Sequence, residues 1–235
     1  MKPLTRDIKA ALASKANAEK AEQARAYMKS AMPFHGVAAP EVKKICMQVF
    51  PKYPLTSQAA WHEAMLDLWR QADFREERYV AENLAAVKPY RAHQTPKTIP
   101  IYQEMIVDGA WWDLVDGIVN RLGELLIDYP GPISSKIVSW SKVKNFWQRR
   151  ASIICQLKLK QNTNEGLLFD VIETNMVDDE FFIRKGIGWA LREYAKTNSK
   201  AVIKFVTRNK DSLRPLSKRE GLRILLKNGV ITSIP

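Results

Sequence analysis

Cysteine is nearly absent from this chain: Cys46 and Cys155 are the only two in 235 residues. They are far apart, have no CxxC spacing, and both fall in apolar helical patterns, which argues for buried free thiols and against a zinc site or a disulfide scaffold. His35, His62 and His93 show no ligand spacing to one another or to the cysteines. Neither a metal nor a cofactor is therefore expected. No apolar stretch approaches the ~18 residues of a membrane span, and the first residues alternate basic with acidic and lack an apolar run, so no signal peptide is expected. Membrane partners are not expected, and the expected location is cytoplasmic and reducing. Strand signals are also scarce. The rarer charge is the negative one: 37 Lys and Arg stand against 25 Asp and Glu, a net charge of +12.

The surplus is uneven along the chain. Residues 1–140 carry 18 basic against 16 acidic side chains, and residues 141–235 carry 19 against 9. A basic excess of this kind points to a polyanion, and nucleic acid fits better than a membrane surface because no strongly apolar amphipathic segment accompanies it. A merely solubilising basic surface remains the alternative. With 46% hydrophobic residues the chain can build a sizeable core.

Apolar spacing at 3.6 residues predicts helices over 3–14, 17–31, 40–50, 57–70, 74–88, 97–108, 111–128, 132–140, 145–160, 164–174, 180–196, 199–208 and 215–228. Proline, glycine and asparagine separate them. Trp112, Trp147 and Phe182 stand 35 residues apart, each near a helix start after another short helix and a turn. Two helices per such period indicate a helical solenoid, in which stacked pairs bury what one pair cannot. Curvature of such a stack would line a concave face with the outward residues.

Several of those outward residues carry chemistry. On a 111–128 helix Leu114, Val115, Ile118, Leu122, Leu125 and Trp111 share the apolar face, while Trp112 lies at its edge and Asp116 one turn on. An indole beside an outward carboxylate fits a reaction site; a rim aromatic and a solvated or capping acid would look the same in sequence. On the 180–196 helix Lys185, Trp189, Arg192 and Lys196 follow i, i+4, i+7, i+11 and form one stripe, opposite Ile183, Ile187, Ala190, Leu191 and Tyr194. Phe181 and Phe182 flank it in the first turn. Cations interleaved with aromatics suit nucleic acid, the cations for phosphates and the rings for sugars or bases. Arg150 lies amid Phe146, Ile153, Ile154 and Leu157; it either pairs with an acid of the adjacent repeat, Asp113 being a candidate, or reaches the groove along its stem. Lys158, Lys218, Arg219, Lys160 and Arg223 are candidate phosphate contacts. Tyr27, beside Ala24, Met28 and Ala31, would on its own be taken for core.

The segments GAWWDLVDGI, NFWQRRASIICQLKLKQ and FFIRKGIGWALREYAKTN followed by PLSKRE together resemble the AlkD-type alkylpurine DNA glycosylases, over nearly the whole chain. The resemblance implies an all-α fold, a curved solenoid of stacked HEAT-like antiparallel helix pairs forming one glycosylase domain over residues 1–235. It further implies a monofunctional enzyme that hydrolyses the N-glycosidic bond of cationic N3- and N7-alkylated purines in double-stranded DNA, without a metal and without flipping the base. By motif, Trp112, Asp116 and Trp189 match the catalytic trio, and Arg150, Arg192 and Tyr27 match groove positions. At Ala38-Ala39-Pro40-Glu41 the family pattern can carry a hydroxyl before Pro-Glu, so one cap and one phosphate contact near Lys43 and Lys44 should be missing. No obligate protein partner is expected, and the chain should act as a monomer. Two rival readings are a non-catalytic binder of branched or bent DNA and a protein-binding helical solenoid.

Overall fold

The helix starts are written by short polar side chains and prolines. Asn17, Ser57, Asn145, Asn164 and Asn198 each sit just before a helix and accept a hydrogen bond from a backbone N–H two or three residues on, satisfying donors that the first turn leaves unpaired. Pro3, Pro40, Pro130 and Pro215 occupy first-turn positions of other helices, where a missing N–H costs nothing. In the computed structural model, which describes residues 1–235, the result is all-helical. The helices are α1 (Pro3–Ala13), α2 (Ala18–Met28), α3 (Ala39–Val49), α4 (Gln58–Arg70), α5 (Arg75–Ala85), α6 (Ile99–Gly109), α7 (Trp112–Asp128), α8 (Pro130–Trp140), α9 (Phe146–Ile154), α10 (Glu165–Asn175), α11 (Phe181–Ala195), α12 (Ser199–Arg208) and α13 (Pro215–Lys227). The expected missing cap is found at α3, where Ala38 offers no side-chain hydrogen bond. No helix is long and apolar enough to cross a membrane.

Most boundaries fall within two residues of the periodicity, but three helices stop early. α2 ends at Met28, with Lys29 in the left-handed region at φ 50°, and α5 ends at Ala85 before a 3-10 segment, Lys88–His93. α9 stops at Ile154 instead of running to 160. Beyond it the Gln156 side chain bonds both backbone groups of Asn164, Oε1 accepting from its N–H at 2.8 Å and Nε2 donating to its carbonyl at 3.2 Å. That clasp closes a loop in which Lys160 takes a positive φ of 52° and Lys158 is exposed. At the same place a Cβ on Gly123 of α7 would lie 2.4 Å from the Cys155 carbonyl oxygen, so only glycine permits the crossing.

The chain divides into two compact units, Met1–Ile101 and Tyr102–Pro235. In the first, Ile8, Leu12, Trp61, Met65, Leu68, Trp69, Val80 and Leu84 form the buried core. In the second, Leu114, Val115, Ile118, Val119, Leu122 and Leu125 of α7 are buried with Ile153 and Ile154 of α9 and Ile183, Ile187 and Leu191 of α11. Side-chain ties recur at a fixed sequence distance: Gln58 to the His93 carbonyl (35 residues), Arg150 to Asp116 (34), Asn175 to the Ser141 carbonyl (34), Lys185 to Glu220 (35) and Arg208 to Glu173 (35). A repeated helix pair of that length, stacked on the next, accounts for the recurrence. The aromatic rung of the repeat differs from the sequence expectation by one residue. Trp111, not Trp112, meets Trp147 and Phe182, at centroid distances of 6.1 and 5.4 Å, and those two rings are 4.8 Å apart.

Candidate catalytic and nucleic-acid site

Three consecutive repeats of the second unit each deliver one part of the site. α7 carries Asp116, α9 carries Arg150, and α11 carries Trp189 and the Phe182 carbonyl. Arg150 Nε donates to Asp116 Oδ1 at 2.9 Å and Nη2 to Oδ2 at 2.7 Å, while Nη1 donates to the Phe182 carbonyl at 2.7 Å. One guanidinium thus ties three helices, with a fork geometry that lysine does not have. Gly186 leaves it room, since a Cβ there would stand 3.3 Å from Nη1. The expected partner Asp113 is therefore corrected to Asp116, one helical turn further along α7. Asp113 remains close enough for its charge to act on Asp116.

Burial pushes the Asp116 carboxyl up from the ordinary aspartate range; the two hydrogen bonds and the charge of Arg150 oppose this, and Asp113 adds to it. The Asp116 side chain nevertheless keeps 16% of its surface, against 6% for Arg150. The accessible part opens on a cleft of about 400 Å³ lined by Asp116, Asn120, Leu157, Lys158, Trp189 and Glu193. A second cleft of about 590 Å³ adjoins it through Leu157, Lys158 and Glu193 and continues past Lys160, Tyr194 and Lys196. Asp116, Trp189 and Lys158 therefore come together around one opening, with Arg150 behind the carboxylate. Trp112 is half-buried at the start of α7 and does not line this cleft. Asn120 and Glu193 were missed by sequence reasoning. Asn120 follows Asp116 by four residues, and that spacing alone would have placed it on the same stripe.

The stripe on α11 is not a row of free cations. Lys185 Nζ donates to Glu220 Oε1 at 2.9 Å and Arg192 Nη1 to Glu220 Oε2 at 2.6 Å, both across to α13. Lys196, just past the end of α11, is held by Glu193 at 2.6 Å. The hydrogen bond from Lys185 is the main reason that the Glu220 carboxyl lies below its ordinary range. Phe182 belongs to the aromatic rung, with Arg150 6.0 Å from its ring centre, whereas Phe181 is 48% exposed beside Asp179 and Glu180. Lys218 reaches back to the Lys210 carbonyl at 2.8 Å. Arg219 and Lys158 project into solvent, as do Lys43 and Tyr27 of the first unit, Tyr27 being 78% exposed where its apolar neighbours suggested core.

The family to which this arrangement belongs is shown by comparison. A solved structure from Enterococcus faecalis, described as a predicted DNA alkylation repair enzyme, is similar at 32% sequence identity and a TM-score of 0.78, over 90% of this chain and 97% of that one. No curated protein matches. The profile of the family described as DNA alkylation repair enzyme matches residues 8–225. The chain belongs to the DNA alkylation repair enzyme family.

Proposed function

We propose that residues 1–235 act as one DNA glycosylase domain that hydrolyses the N-glycosidic bond of cationic N3- and N7-alkylated purines in duplex DNA, as a monomer in the cytoplasm. The observation that carries this reading is a largely enclosed carboxylate, Asp116, fixed by Arg150 and opening on a cleft beside the Trp189 indole. A purine already bearing a positive charge is a good leaving group and needs no protonation. What remains is to stabilise the sugar as it becomes oxocarbenium-like and to admit water. A carboxylate about 4 Å from that carbon, at an effective dielectric near 20, contributes ~4 kcal/mol, roughly a thousandfold if realised only in the transition state.

Arg150 fits this role for Asp116. Each carboxylate oxygen receives one hydrogen bond from the guanidinium and retains acceptor capacity for a water directed at the sugar. The indole face of Trp189, on the cleft, supplies π-density that strengthens its attraction as positive charge grows on the deoxyribose; Trp112, outside the cleft at the start of α7, is proposed as a second aromatic contact to the DNA. Neither step requires the base to leave the stack. Lys158, Lys196, Lys218 and Arg219 in the second unit, with Tyr27 and Lys43 in the first, are the proposed contacts along the backbone, together with Lys185, Arg192 and Phe181.

A non-catalytic DNA binder is the second reading, and one observation favours it. Asp116 would be retained as the partner of Arg150 even without chemistry, because leaving that guanidinium buried and unpaired is costly. Incubating the protein with methylated duplex DNA and identifying released bases by mass separates the two. Release of N3- and N7-methylpurines is expected, with intact strands and no release of uracil or hypoxanthine, whose neutral bases would leave as anions and need a proton or a hydrogen-bond donor to stabilise them. No base released by protein that binds the duplex supports the second reading; release of neutral bases abolished by Asp116→Asn overturns the leaving-group argument.

A further inference from the structure

α13 lies against α11 at backbone range. A Cβ on Gly188 would stand 2.4 Å from the Glu220 Cβ, and one on Gly221 3.0 Å from the Leu191 Cβ. This approach brings one acid among three cations: Lys185 at 2.9 Å, Arg192 at 2.6 Å, and Arg223 at 3.9 Å. The carboxylate is the most enclosed of the four, 17% exposed against 20% for Arg192, 41% for Lys185 and 67% for Arg223. The acid therefore lies inward, its cations outward. Lys185 and Arg192 flank Trp189 along α11, four residues before it and three after, and Trp189 lines the Asp116 cleft.

We infer that Glu220 is a positioning residue for the nucleic-acid surface: an internal counter-anion that fixes Lys185 and Arg192 on the flank of Trp189 and offsets one unit of their attraction for phosphate. This rests on the nucleic-acid reading of the site. Free lysine and arginine side chains sample many rotamers, and ordering them on a phosphate costs affinity; here the ordering is done before the ligand arrives. Arg192 uses one of its five N–H donors on Glu220, which leaves the rest of the fork for a phosphate oxygen. A duplex meets a cluster of net charge +2 in place of +3. Undamaged DNA is held less tightly, with a salt dependence shallower than the number of cations implies.

The test measures binding of the full chain to a short undamaged duplex over a range of salt. Glu220→Gln should tighten binding about threefold or more at low salt and steepen the log–log slope by up to one unit, each phosphate neutralised contributing ~0.9. Asp170→Asn, an exposed acid on α10, removes the same charge elsewhere and should change neither. The effect of Glu220→Gln should shrink when Lys185→Gln and Arg192→Gln are present, Arg223 alone remaining paired with it. Should Glu220→Gln fail to fold, Lys185→Gln and Arg192→Gln alone carry the test, because each should lower the slope by less than the ~0.9 of an unopposed cation. A slope change no larger than that of Asp170→Asn, or one that is undiminished without Lys185 and Arg192, overturns the inference. A parent chain that does not bind duplex overturns the nucleic-acid reading with it, whereas binding without base excision leaves the role of Glu220 standing.

Discussion

Both units bury carboxylates, and the way each is satisfied differs. In the first, Glu76 is 2% exposed and accepts from the backbone N–H groups of His35, Gly36 and Val37 at 2.9, 2.8 and 3.1 Å. Its neighbour Glu77 accepts from the Asp73 and Phe74 N–H groups and meets the His35 ring at 3.0 Å. Gly36 completes the cradle at φ +77°, where a Cβ would lie 2.2 Å from the Asn17 carbonyl oxygen. Backbone donors hold these acids, and they cannot withdraw. In the second unit Asp116 is held by one side chain, keeps acceptor capacity, and borders a cleft of about 400 Å³ against the depression of about 180 Å³ beside Glu76. Burial of an acid alone therefore does not mark a reaction site. The distinguishing features are unused acceptors and space for a substrate.

The sharpest way to break this comparison is to neutralise each acid. Asp116→Asn should lower single-turnover base excision by at least tenfold and as much as ~1000-fold, measured per folded molecule, while duplex affinity stays unchanged or rises as an anion leaves the phosphate path. Normal excision by this variant ends the catalytic assignment. Glu76→Gln should do the reverse. It sets an amide against three converging N–H donors, and unfolding in denaturant should show a loss of about 2–3 kcal/mol, with excision by the remaining folded protein intact. A Glu76 variant that is as stable as the parent but slow in excision would erase the distinction between the two acids.

A smaller effect is expected at Arg150. Arg150→Lys keeps the charge but cannot span Asp116 Oδ1, Asp116 Oδ2 and the Phe182 carbonyl together. Excision should fall several-fold, by less than for Asp116→Asn, and stability by about 1–2 kcal/mol. Loss of stability without loss of rate would make Arg150 a tie between helices and nothing more.

The residues that show how far the sequence was legible are the same ones. Helix positions were readable because Asn, Ser and Pro punctuate them, and the misfit of Arg150 among apolar neighbours was readable on its helical wheel. Its partner was not, since Asp113 and Asp116 lie three residues apart on one side of α7 and only backbone placement distinguishes adjacent turns. The Glu220 tie was invisible for a related reason: it requires knowing that α13 lies on α11. The repeat period contains the missing signal, because Asp116 to Arg150 and Lys185 to Glu220 are each one period apart. Charge asymmetry depends on where the chain is divided. Divided where the structure divides, the units carry 16 basic against 10 acidic and 21 against 15 side chains, an equal surplus. The apparent contrast came from an acidic stretch at the start of the second unit.

The smallest predicted effect compares the two acids of the second unit by the sign of their pH response. Burial raises the Asp116 carboxyl above its ordinary value, so between the two values the folded chain binds the proton that the unfolded chain does not. Its contribution to stability therefore grows as pH falls through the raised value and levels off below the ordinary one near 3.8. Glu220 is the opposite case, lowered first by the hydrogen bond from Lys185. Its contribution is complete above the ordinary value of 4.5 and is lost as pH falls through the depressed one. Thermal unfolding across the acid range reads both. Relative to the parent, the Tm of Asp116→Asn should fall further behind as the solution is acidified, while that of Glu220→Gln should catch up. The two trends carry opposite signs because one acid is dominated by desolvation and the other by its cations, and parallel trends in the two variants would show that this difference in environment is not felt by the folded state.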